Sequence, residues 1–212
     1  DTFDRITEAI VTLKKHRGRV ITVFVATKEN IGDFEGTAKI AYALGADAIM
    51  FNRFNPGGEG AKNIKELLPD VGQLKEALRT ANEFSKKYNI SVASSIPVQP
   101  CIIDTSEFEK LGFGYCAAGT ERSYYTIDPT GNLRMCNHSG TILGNLFNEN
   151  FNDLIANKTA CDFVATVPEF CAPCKLKDTC LGGCKAAAEA CYGSIYAEEP
   201  FLKLNTNCTV IR

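Results

Sequence analysis

Four cysteines stand close together as Cys171-x2-Cys174-x5-Cys180-x3-Cys184. Thiolates set in short loops converge on one metal centre, because neighbouring donors need little chain to meet. A buried cysteine can also serve as a small hydrophobe. However, Ala172, Pro173, Lys175, Lys177 and Asp178 around these four do not read as a core. Lys175 and Lys177 favour thiolate over thiol. A further pair is spaced as Cys116-x14-Gly131-x4-Cys136. One zinc ion takes four thiolates and leaves that pair without work. Eight or more cysteines suit two cubane clusters, each with four thiolate ligands. A zinc-binding structural or interaction module without catalysis is the alternative.

All ten cysteines lie beyond the first hundred residues: Cys101, Cys116, Cys136, Cys161, Cys171, Cys174, Cys180, Cys184, Cys191 and Cys208. A secreted disulfide scaffold is short and loop-rich throughout, and this chain is neither. Cys161 lies outside the spaced set in an apolar stretch and reads as a buried thiol. His16 follows two lysines and reads as solvated. His138, two residues past Cys136, reads as a hydrogen-bonding side chain beside the metal pocket.

The chain has 212 residues, 45 % hydrophobic and 23 % charged, with a formal net charge of −2. No basic stripe is present, which argues against nucleic acid as a partner. No apolar run approaches the roughly 20 residues that cross a bilayer, and no signal-peptide pattern is seen. The opening Asp1-Thr2-Phe3-Asp4 reads as part of something longer.

The elements that must position the cysteines fall into two regions. Residues 1–98 alternate helix and strand. Phe3, Ile6, Ile10 and Leu13 mark a helix over 2–15 that stops at Gly18. Val20–Ala26 is a β-branched apolar run, expected to be a strand buried on both faces. A helix over about 33–44, a strand over 48–51, a helix over 73–88 and a strand from Ile90 to Ala93 follow. Three helix–strand repeats predict a parallel α/β layer or barrel. Its polar residues collect just past the strands, where such folds place their chemistry. They include Thr27, Asn30, Asn52, Arg53, Ser94 and Ser95. Pro56-Gly57-Gly58 lacks the helix start of a nucleotide loop.

Residues 99–212 are richer in glycine, cysteine and proline. Tyr124–Ile127 and Asn132–Met135 flank Asp128-Pro129-Thr130-Gly131, which predicts a hairpin. Short helices are expected over 151–157 and 185–192, the second ending at Gly193.

Taken together, Cys116-x14-Gly131-x4-Cys136, Cys171-x2-Cys174-x5-Cys180-x3-Cys184, the Leu181-Gly182-Gly183-Cys184 segment and the Asp128–Asn132 turn resemble the SPASM domain of radical SAM enzymes. The resemblance covers about residues 100–205. The first hundred residues are similar, less specifically, to the second half of that family's partial (β/α)6 barrel. The implied fold is thus a half-barrel followed by a cysteine-rich α+β module with a β-hairpin.

The resemblance implies an enzyme, a peptide maturase of oxidoreductase type acting by hydrogen abstraction. It implies two auxiliary [4Fe–4S] clusters here, with S-adenosylmethionine and a third [4Fe–4S] cluster in the full-length enzyme. Implied partners are a peptide or small protein substrate and a reductant such as flavodoxin or ferredoxin, in the cytoplasm. The first cluster would take Cys116, Cys136 and Cys184, with Cys101 as its upstream ligand. The second would take Cys171, Cys174, Cys180 and a late cysteine. The family's late cysteine falls near Leu202, so Cys191 or Cys208 must substitute or the site is open, and Cys191 is the one expected. Thr27, Asn30, Asn52 and Arg53 would face S-adenosylmethionine, Arg53 forking onto its carboxylate. Asn137 stands where sulfatase-maturing members carry an aspartate base, which argues against that activity. The Cys-x3-Cys-x2-Cys loop of the SAM-cleaving cluster does not occur in this sequence.

Overall fold

The computed structural model describes residues 1–205. In chain order the elements are α1 (Thr2–Lys15), β1 (Ile21–Ala26), α2 (Phe34–Ala43), β2 (Ala48–Arg53), α3 (Glu59–Lys62), α4 (Ile64–Leu67), α5 (Val71–Tyr88), β3 (Ser91–Ser94) and β4 (Leu111–Phe113). They continue as β5 (Thr126–Ile127), β6 (Asn132–Arg134), β7 (Ile142–Asn145), α6 (Phe151–Ile155), α7 (Lys158–Ala165), α8 (Lys177–Cys180), α9 (Lys185–Tyr192) and α10 (Pro200–Leu204). Two compact units result. The first comprises Asp1–Asn55, Lys65–Val98 and Ile103–Gly114, and the second comprises Pro56–Ile64, Gln99–Ile102 and the residues from Tyr115 on.

In the first unit a four-stranded sheet runs in the order β1-β2-β3-β4 with every pair parallel. Phe24, Phe34, Phe51 and Phe84 pack as successive rings with centroids 5.0–6.3 Å apart. Rings at such distances add to what their area burial contributes. Capping boxes start α1 (Asp1 with Asp4) and α5 (Asp70 with Gln73), and Asn89 ends α5 in the left-handed region. The burial expected for β1 is corrected. Phe24 and Ala26 are buried, but Ile21, Val23 and Val25 are 43–59 % exposed. The reason is that α1 buries none of its residues, leaving Phe3 and Ile6 more than half exposed. That helix therefore does not seal the second face of the strand. The fourth strand was not expected, because three residues carry too little pattern. Ser85 and Asn82 on α5 hold its approach, accepting from Lys110 N–H at Asn82 Oδ1 and donating from Ser85 Oγ to Ile90.

In the second unit the hairpin forms as β5 against β6, and β7 adds a third antiparallel strand. Leu133, Met135, Leu143, Leu154, Ala160 and Phe163 make its core. The turn is held by Asp128, whose carboxylate accepts from Thr130 N and Oγ1 and from Asn132 N and Nδ2 at 2.7–3.0 Å. The hydroxyl and amide donors, with the backbone N–H groups beside them, lower its pKa to about 2. Helix α7 overturns the burial expected for Cys161. Ala160 and Phe163 face inward, so Cys161, about 100° round the helix from Ala160, is exposed.

Candidate metal centres

From Pro168 to Leu204 the chain folds as short turns and helices that carry the cysteines. A 3-10 turn over Glu169–Cys171 delivers Cys171, and Cys174 N–H donates to Cys171 O at 2.9 Å. Cys180 ends α8, and Leu181 then takes φ 55°. Gly182 and Gly183 follow at φ 73° and 95°, a region that strains residues bearing a Cβ. A Cβ on Gly182 would lie 2.5 Å from Pro168, and one on Gly183 would lie 2.2 Å from Gln99 Nε2. The two glycines thus let the chain double back between Cys180 and Cys184.

These turns surround a small cavity of about 20 Å3 lined by Cys101, Cys171, Cys174, Cys180, Gly182 and Leu202, among others. No three Cys, His, Asp or Glu side chains among the described residues converge at the spacing of a single metal ion. Several thiols lining one cavity without converging on a point fit a cluster, whose thiolates attach at its outer corners. Cys101 therefore stands with the central cysteines, a grouping different from the one expected with Cys116 and Cys136. Its loop is tied down through Gln99, whose Nε2 donates to Glu199 Oε2 at 2.6 Å, both side chains being buried.

The other set forms around the hairpin. Cys116 packs against the core of the second unit, Cys136 follows β6, and Cys184 is the N-cap of α9. Burial pushes the Cys136 thiol up, and the neighbouring Cys116 and Glu189 push the same way, against N–H donation from His138 and Ser139. Lys185 beside Cys184 is buried, and its Nζ donates to the carbonyls of Phe163 and Val164 at 2.7 Å. Burial lowers its pKa, and Cys116 acts in the opposite sense. The same ammonium lies over the Phe163 ring, 5.6 Å from its centroid.

Cys191 lies on α9 and is not among the residues lining the cavity. Burial raises its pKa, with Glu199 adding to the effect. Cys184, by contrast, is the N-cap of that helix with extended backbone. Cys208 lies outside the described residues.

His138 takes its hydrogen-bonding role, with Nε2 2.7 Å from Pro56 O. A carbonyl partner makes that nitrogen the N–H. Gly57 lies under the same ring, since a Cβ there would come within 2.4 Å of Cε1. The Pro56–Gly58 segment is therefore a packing surface for His138, a role that sequence reasoning missed.

Thr27, Asn30, Asn52 and Arg53 gather at the C-terminal ends of β1 and β2. Thr27 and Asn30 close a local turn, with Thr27 N donating to Asn30 Oδ1 at 2.8 Å. Asn52 bridges to Ser95, accepting from its N–H at 2.9 Å and donating from Nδ2 to its Oγ at 3.0 Å. Arg53 is buried, and its Nε donates to Pro97 O at 2.9 Å and its Nη1 to Phe54 O at 3.3 Å. Part of the guanidinium is thus turned to backbone carbonyls, because a buried guanidinium needs acceptors.

Cys116 and Cys136 thus flank the hairpin, and Cys171, Cys174, Cys180 and Cys184 follow in the loop module. Residues 116–181 match SPASM, an iron-sulfur cluster-binding domain. The match covers about a third of the chain. A relative among curated proteins is the PqqA peptide cyclase of Rhizobium meliloti (strain 1021), 25 % identical over 185 residues, covering 83 % of this chain and 47 % of that protein. Among solved structures, native anSMEcpe with bound AdoMet and a Kp18Cys peptide matches with TM-score 0.68 and 16 % identity, over 98 % of this chain and 59 % of that one. SuiB of Streptococcus suis bound to S-adenosylmethionine matches with TM-score 0.67 and 15 % identity, over 98 % and 49 %. The chain spans about half the length of the relatives it matches. No helix among the described residues is long and apolar enough to cross a membrane.

Proposed function

We propose that this chain is the auxiliary-cluster and substrate-binding portion of a radical SAM enzyme that modifies a peptide by hydrogen abstraction. The observation that carries the reading is the cysteine-lined cavity within a chain that matches an iron-sulfur cluster-binding domain. Two [4Fe–4S] clusters would be held by these loops, one on the Cys116, Cys136 and Cys184 set and one at the cavity. Such clusters supply one-electron chemistry over about −700 to +450 mV, depending on hydrogen bonding and exposure. The chain's own part is to hold the thiolates, shield them and present a peptide.

The strand order β1-β2-β3-β4, with each strand parallel to the last, supports reading the first unit as the second half of a barrel. Residues 1–98 would then be barrel, joined by β4 (Leu111–Phe113), and the rest of 99–212 would be the iron–sulfur domain. Thr27, Asn30 and Asn52, at the strand ends, would border the S-adenosylmethionine site, and Arg53 would support its floor. The peptide substrate is supported by the likeness to a PqqA peptide cyclase and to anSMEcpe with a bound peptide. A flavodoxin- or ferredoxin-like reductant and a cytoplasmic setting complete the proposal, since thiolates stay reduced there. The full-length enzyme, reconstituted anaerobically and given reductant and S-adenosylmethionine, is expected to form deoxyadenosine. Absence of deoxyadenosine from protein with full iron content sinks the reading.

A further inference from the structure

The cavity also decides a question of ligands. Among the described residues its cysteines are Cys101, Cys171, Cys174 and Cys180, and the residue facing them from α10 is Leu202. In the sequence, Leu202 falls near the late cysteine of the SPASM pattern. It is 3 % exposed and has no donor atom, so it fills that position without being able to bind a metal. The thiol that lines the same space comes instead from residue 101, about a hundred residues upstream.

The placement of Cys101 is built into the fold. Ile102 N–H donates to Gln99 O at 2.9 Å and closes the turn that presents Cys101. Gln99, 1 % exposed, donates to the equally buried Glu199. Glu199 in turn caps α10 by accepting from Phe201 N–H at 3.1 Å. The buried Gln99–Glu199 pair therefore fixes the Cys101 turn beside the helix that carries Leu202. Gly183 leaves the space Gln99 needs, since any Cβ there would meet its amide. Cys191 has no such placement, being absent from the cavity lining.

We propose that Cys101 supplies the fourth thiolate of the second cluster, with Cys171, Cys174 and Cys180, in place of the late cysteine that Leu202 displaces. This rests on the iron–sulfur reading above. Cys191 is then dispensable for that cluster, and Cys101 does not serve the Cys116 and Cys136 set.

The test is made on the full-length protein, purified and reconstituted anaerobically. Iron and labile sulfide are counted and the EPR spectrum of the reduced protein is recorded. Cys101→Ala is expected to lose one cluster, about four irons, whereas Cys191→Ala keeps the wild-type count and spectrum. Cys101→Ser, which retains an oxygen donor, is expected to keep much of the iron with a shifted EPR signal. Leu202→Cys added to Cys101→Ala is expected to restore the lost iron, because both positions line one cavity. That rescue separates ligand loss from misfolding. Full iron with an unchanged EPR signal in Cys101→Ala overturns the proposal, and so does loss of a cluster in Cys191→Ala together with an intact Cys101→Ala. Wild-type protein that takes up no iron overturns the iron–sulfur reading itself, a distinct result.

Discussion

The first unit buries four phenylalanines against a parallel sheet, whereas the stretch from Pro168 to Leu204 folds as helices and turns of three to eight residues around its cysteines. Helices this short are marginal on their own in water. What organises the sheet is apolar area removed from water and regular backbone pairing. What organises the cysteine loops is a chain of specific contacts: the Gln99–Glu199 pair, the Lys185 ammonium on two carbonyls and a pair of left-handed glycines. The teaching of the difference is that damage to each region has its own signature. Sheet damage lowers stability without touching metal content. Loop damage changes metal content first.

The largest stability loss is expected from Phe34→Ala. Phe34 is 1 % exposed and touches the rings of Phe24, Phe51 and Phe84. Truncating a buried Phe costs about 3–5 kcal/mol. Denaturant unfolding is expected to show that loss while the iron content of folded protein stays at the wild-type level. Iron loss in folded Phe34→Ala protein breaks the comparison.

Gly183→Ala is the reciprocal test. A side chain at φ 95°, with its Cβ against the Gln99 amide, strains the backbone by about 1–3 kcal/mol. The expected outcome is reduced iron at the cavity, with near-native hydrogen exchange in β1 and β2. Uniform loss of protection in both regions contradicts the separation.

Lys185→Met keeps the apolar stem and leaves the carbonyls of Phe163 and Val164 without their donor. Unsatisfied buried acceptors cost about 1–3 kcal/mol. A fall in thermal midpoint is expected, together with a shift in the EPR signal of the cluster on the Cys116 and Cys136 set.

The smallest effect is a pH dependence. Asp128 has its pKa lowered from 3.8 to about 2 by the donors around it. A carboxyl whose folded value is depressed stabilises above its unfolded value and loses that contribution as pH falls. The turn is therefore expected to loosen between about pH 4 and pH 2, in steps visible by NMR at Thr130 and Asn132. Asp128→Asn should remove that transition, and a transition that persists counts against the assignment.

Much of this was legible in the sequence for identifiable reasons. Long periodic segments gave α1, α2, α5 and the first three strands, because each repeats its pattern over enough residues. The hairpin was readable from Asp128-Pro129-Thr130-Gly131, and α9 from its alanines and Gly193. The strands β4 and β7 and the helix α7 were not, since three to eight residues hold too few periods. Cysteine spacing singled out the cysteines but grouped Cys101 with Cys116 and Cys136, whereas it lines a cavity with Cys171, Cys174 and Cys180. Its partners are set by a contact between Gln99 and Glu199, residues a hundred apart, which no local pattern reveals. Arg53 was placed correctly at a strand end, yet whether its fork meets a ligand or the backbone depends on the path of Pro97.

Metal content tests the central claim most directly. Full-length protein, purified and reconstituted anaerobically, is compared with the Cys136→Ala/Cys174→Ala double variant by iron, sulfide and zinc analysis. Two [4Fe–4S] clusters in the second unit require the wild type to hold about eight more irons, with matching sulfide, than the variant. Equal iron in the two proteins, or stoichiometric zinc in a colourless wild type, contradicts the account.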